Sequence, residues 1–216
     1  MALDVKIEIP SRSSIPSLNL SFLYSSIHFR DSVKAQIGST DLSTKWGLVT
    51  SETWDLNSDS TIIKLDAGSA SGLFTLRECL DIDVESGGID IRVDVDKSIE
   101  SPKAVFKTRV AAGNTRVELI GPLEHRNQIY SMHKARAGGI NLDYPEDWEG
   151  QMEADTHAGT LEVDGKGLRI VEVGWHLPGQ YVRAIKGKDF EQKCKMVAGT
   201  DVGRIGIFLT PVNDII

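Results

Sequence analysis

Five histidines are the side chains in this sequence best suited to moving a proton near neutral pH: His28, His125, His133, His157 and His176. No two of them have the spacing that places a zinc ion on one helix face, and the calcium-binding glycine nonapeptide is missing, so no metal site is expected. Gly68-Ser69-Ala70-Ser71-Gly72 has the outline of a hydrolase nucleophile elbow, but Ala70 stands where a serine must be. Gly165-Lys166-Gly167 does not extend into a dinucleotide fingerprint, and no Gly-Lys-Ser/Thr phosphate loop occurs; no cofactor is expected. What chemistry is left rests on His133 and His176 as general acid or base, if the chain is an enzyme. The candidate binding residues are Tyr130, Trp148, Trp175 and Asp155. Trp148 sits in the acidic run Glu146-Asp147-Trp148-Glu149 and Trp175 opens Trp175-His176-Leu177-Pro178-Gly179, and loops that leave a rigid scaffold often carry recognition. Packing over an exposed strand is the plainer account of each tryptophan.

The elements that must position these residues are strands. Short runs of period-two alternation flank small-residue turns throughout residues 60–210. Leu80 to Val84 precedes Ser86-Gly87-Gly88 and Ile89 to Val93 follows; Val105 to Val110 precedes Ala112-Gly113 and Thr115 to Leu119 follows; Ile129 to Arg136 precedes Ala137-Gly138 and Ile140 to Tyr144 follows. Turn glycines fall at 68, 87, 113, 138, 159, 179 and 199, a period in the twenties that marks a repeat architecture. Counting back from the glycine, positions minus three, minus five and minus seven give Val110, Thr108 and Phe106, then Ala135, His133 and Ser131, then Thr156, Ala154 and Met152. These are apolar or small, so they point inward, and His133 is expected inside. An inward imidazole is either a satisfied core histidine, the plainer reading, or an acid–base group in a small internal pocket. The outward set at minus four is Arg109, Lys134 and Asp155, with Lys134 expected beside Asp155 in a solvated charge ladder.

The pattern predicts an all-β fold: a β-solenoid of about seven short coils over 57–216, with 1–56 as a non-repeating N-terminal capping segment. The alternative is an antiparallel β-sandwich or barrel in which the same turns close hairpins. The run Ala137-Gly-Gly-Ile-Asn-Leu-Asp-Tyr-Pro145, followed by Ala158-Gly-Thr-Leu-Glu-Val163, resembles the adhesin-like β-solenoid repeat domains of bacteria and their uncharacterised fungal relatives. That resemblance implies a fold and no reaction.

The formal net charge of -7 argues against a nucleic acid or an anionic membrane surface as partner, since both need a basic face. Cys79 and Cys194 form no disulfide framework or zinc pair, and two buried, reduced thiols are expected. Residues 1–10 alternate apolar and charged types, unlike a signal peptide, and no segment is long and apolar enough to span a bilayer; the expected location is the cytoplasm. Three functions follow. The first is a non-catalytic binding or scaffold protein that uses a solenoid face or loop rim. The second is a cofactor-independent cyclase or isomerase of a small apolar metabolite, working in an aromatic-lined pocket. The third is a self-assembling module. The partners these admit are a protein, a glycan or a small apolar molecule, and further copies of the chain through strand edges.

Overall fold

Alternation along the chain becomes alternation between core and solvent. In strand β5 (Cys79–Val95) Leu80, Ile82 and Val84 are buried while Asp81, Asp83 and Glu85 lie on the other side; past Gly87, Ile89, Ile91, Val93 and Val95 are buried in turn. A computed structural model describes residues 13–29, 35–52, 58–95, 103–121, 123, 128–188 and 194–211. His125 and Trp54, the latter in the expected cap, lie outside the described residues. Thirteen strands and no helix occur in the described chain. β3 (Gln36–Ser51), β4 (Ser58–Leu76), β5, β10 (Gly150–Gly165) and β13 (Cys194–Thr210) run unbroken through the glycine positions. The same course is split in two in β6 (Ala104–Ala112) with β7 (Thr115–Ile120), and in β8 (Ile129–Ala137) with β9 (Ile140–Pro145).

The strand pairings correct the expected solenoid. They close on themselves in the order β5–β6–β8–β13–β9–β7–β5, every pair parallel, which is a six-stranded parallel barrel. The remaining strands lie outside this ring. β4, β3 and β1 (Ser14–Tyr24) extend it beyond β5, with β2 (Ile27–Phe29) on β3, all in parallel. β10 extends it beyond β13, followed by β12 (Gly179–Lys186) and β11 (Arg169–His176) as an antiparallel hairpin. A barrel was the nearer alternative, although its strands are parallel rather than antiparallel. The stack is also out of chain order, because β13 inserts between β8/β9 and β10. The physical reason is that a repeat pattern fixes which face a strand buries but not which strand it pairs with.

The barrel has two walls. Residues before each glycine build one and residues after it build the other. Where they meet, Gly47, Gly68, Gly87, Gly113, Gly138, Gly203 and Gly159 follow one another across adjacent strands. At Gly113 φ is +143°, and a Cβ would stand 1.5 Å from the carbonyl oxygen of Gly87, so no other residue fits. The repeat therefore reaches back into the expected cap, through Gly47 of β3. It also uses Gly203 rather than Gly199 in β13, while Gly179 belongs to the hairpin turn and not to this row. One hydrophobic core, from Ile27 to Leu209, fills the space between the walls.

Candidate functional site

The nine residues of the inward register are all buried, and His133 is wholly so. Its ring spans the barrel. Nδ1 lies 2.8 Å from Oγ1 of Thr108 on β6 and Nε2 lies 2.9 Å from the Tyr144 hydroxyl on β9, in the opposite wall. Phe106, His133, Tyr144 and Trp148 then stand edge to face in sequence, with centroids 5.0, 6.3 and 6.4 Å apart. Both ring nitrogens are thus occupied, one donating and one accepting while the imidazole is neutral. Burial pushes the imidazole down from 6.5 to about 3, and pushes the Tyr144 hydroxyl well above its ordinary value. Neither group exchanges a proton near neutral pH. Tyr144→Phe should cost about 1–3 kcal/mol by stranding the buried Nε2, which chemical denaturation of the two proteins measures.

The other candidates separate. Trp148 is completely buried, with its backbone amide donating to the Pro145 carbonyl, so its acidic loop presents no aromatic surface. Trp175 is 72% exposed on β11, so the two tryptophans line no common cleft. His176 is exposed and stacks on Tyr181 at 5.0 Å, away from the buried His133. Tyr130 is partly exposed, on the outer face of β8.

Asp155 is the candidate that the fold places in a concave surface. A groove of about 420 Å³ crosses the outer face of β6, β8, β13 and β10. Arg109 of β6 and Lys134 and Arg136 of β8 line one side and Asp155 of β10 the other, with Gly199, Thr200 and Asp201 of β13 between, Asp201 standing next to Arg136 across the β8–β13 pairing. Lys134 and Asp155 were expected side by side; instead each pairs in register with Gly199 of the inserted β13. Two strand spacings put their backbones roughly 10 Å apart. The glycine supplies no side chain, so the gap stays open as the floor of the groove. Arg109 is already held, its Nε 3.0 Å from Asp83 and its Nη2 2.9 Å from Asp81. Lys134, Arg136, Asp155 and Asp201 form no ion pair with one another. Arg136 and Asp201 were missed in the sequence. Both stand two residues before a row glycine, Gly138 and Gly203, and that outward position would have found them once Gly203 was taken as the turn residue.

No cluster of metal-ligating side chains occurs among the described residues, and no helix there is long and apolar enough to cross a membrane. Fold and groove together define the class: an all-β protein with a parallel barrel core and a charged groove on its outer wall. No family model matches the chain, and neither a curated protein nor a solved structure does.

Proposed function

We propose that the chain is a non-catalytic binding protein whose outer groove takes an extended segment of a partner protein bearing both acidic and basic side chains. The observation that carries this reading is the separation of unpaired Lys134 from Asp155 by the bare floor at Gly199, with Arg136 and Asp201 adding one charge of each sign beside it and forming no ion pair with each other. Opposite charges held apart on a sheet scaffold would be met by a ligand of complementary pattern. The lining contains no aromatic side chain, which favours a peptide over a sugar, since sugars commonly stack on rings. A catalytic role for His133 has less support, because both its nitrogens are spent on Thr108 and Tyr144. A cytoplasmic setting fits the two unbridged cysteines, of which Cys194 is buried and Cys79 half-buried.

The test is fluorescence anisotropy with labelled peptides in which Glu and Lys alternate, alongside neutral peptides of equal length. The mixed-charge peptides should bind, more weakly as salt rises. Lys134→Glu and Asp155→Lys should each reduce binding about tenfold. Binding unaffected by both reversals, or no binding to any mixed-charge peptide, would remove the groove from the account.

A further inference from the structure

The two walls end unevenly. Beyond β13 the first wall continues through residues 150–156 of β10 and then two more strands, β12 and β11. The second wall stops at residues 158–165 of β10, which pair with β13 on one side and with no described strand on the other. The hairpin therefore overhangs the second wall by two strands.

The underside of that overhang is apolar. Val182 continues the inward line of Ala154, and Val173 stands beside Val182. Ile170, Val173 and Trp175 are 45%, 57% and 72% exposed, far above what core-facing positions elsewhere in the barrel show. Leu161 and Val163, half-buried, face it from the shorter wall. Gln180 crosses the gap, and its Oε1 accepts the Leu161 amide at 3.3 Å. One side chain thus stands in for a strand along this edge. β11 is itself an edge strand of the described sheet, and its charged residues, Arg169 and Glu172, leave the run from Val173 to Trp175 without charge.

We propose that a second copy of this chain fills the gap, in a closed two-fold dimer. A two-fold axis parallel to the strands carries the overhanging wall of one copy above the short wall of the other. Each overhang is two strands wide, and each gap receives two strands. The outer edge of β11 then meets residues 158–165 of the second copy. β11 runs parallel to residues 150–156, since both are antiparallel to β12, and the chain turns back after Gly159 to build the facing wall. The new seam is therefore antiparallel. Both of its partners are eight residues long.

One register suits the side chains. With Leu161 opposite Val173, and allowing for the bulge between Ile170 and Glu172, Val163 faces Ile170, Trp175 lies over Gly159 and Asp164 meets Arg169. On the outer surface Glu162 comes opposite Glu172, each with its own arginine attached, Arg204 and Arg183 respectively. The symmetry repeats every contact, giving two seams and a shared apolar layer. The interface is isologous and leaves neither edge of the hairpin open, so growth through this surface stops at two copies.

Sedimentation velocity of the full chain tests this directly. A reversible monomer–dimer equilibrium is expected. Val173→Lys, at a site exposed in the monomer, should weaken it about 30-fold or more while leaving the melting temperature of the monomer unchanged. A double variant, Glu162→Cys with Glu172→Cys, supplies a second readout. These two side chains lie on the outer faces of opposite walls in one chain but opposite each other across the seam. Mild oxidation should yield a covalent dimer from the double variant and none from either single variant. A monomer at every concentration, a dimer indifferent to Val173→Lys, or an open-ended series of oligomers would each overturn the proposal. None of these outcomes bears on the groove, which lies on the outer face.

Discussion

Gly113→Ala should be among the most damaging single substitutions in this protein, costing more than about 4 kcal/mol or preventing folding altogether. The added methyl would stand 1.5 Å from the Gly87 carbonyl oxygen, at a backbone φ of +143°. The steric conflict is with backbone on an adjacent strand, which cannot rotate away as a side chain could. Relief would require pulling β6/β7 from β5, and both walls of the barrel run through that contact. Gly88→Ala provides the control. A Cβ there finds its nearest neighbour, the Asn114 carbonyl oxygen, at 3.4 Å, and the substitution should cost no more than about 1 kcal/mol. Urea denaturation followed by circular dichroism compares the two. Equal stabilities would mean that the glycine row is not what joins the walls.

The second large effect is on stability in acid. His133 titrates at about 3 when folded and near 6.5 when unfolded. Above pH 6.5 the residue is neutral in both states and contributes no pH dependence. Between 6.5 and 3 the unfolded chain binds a proton that the folded protein refuses, so acid favours unfolding by up to about 1.4 kcal/mol per pH unit. Below 3 the folded state protonates as well and the dependence levels off. Surface carboxylates titrate in the same range, so the contribution of His133 is read as a difference. His133→Gln keeps a donor and an acceptor near Thr108 and Tyr144 but cannot ionise. Whatever it costs at pH 7, its stability should fall about 2 kcal/mol less than that of the wild type on going to pH 5. Parallel pH profiles for the two proteins would show that the imidazole is not held neutral by burial.

The sequence made faces legible and left neighbours hidden. The period-two pattern around each glycine was enough to place Phe106, Thr108, His133 and Met152 inside and Lys134 and Asp155 outside, because burial acts on each residue through its own parity. Spatial order is a different kind of information. Ala198-Gly199 imitates Ala112-Gly113 and Ala137-Gly138, yet the residue that enters the glycine row is Gly203, four positions on. No local signal announced that β13 would lie between β8 and β10. That misplacement hid the site as well as the fold: with β13 absent from between them, Lys134 and Asp155 looked like a neutralised pair rather than the two banks of a groove. The aromatic loops misled for another reason. Trp148 follows Pro145 in a tight turn that folds inward onto Tyr144, and a run of flanking carboxylates disguises such a turn as a solvent-exposed loop. The parallel ring stayed unread because parity is the same whether a strand's neighbours run with it or against it.

The placement of β13 also sets when the protein can take shape. A nascent chain emerges from its N-terminal end, so β1 to β9 can associate while later residues are still being made. β10, β12 and β11 emerge next and find their seat missing, since the strand on which β10 lies is the last of the thirteen to be synthesised. Until Cys194–Thr210 is available, β8 and β9 expose the edges that β13 will occupy, and the hairpin has only β10 to hold it. Closing the ring and seating β10 both wait on Cys194–Thr210, so the C-terminal strand of the described chain joins elements far upstream of it in sequence.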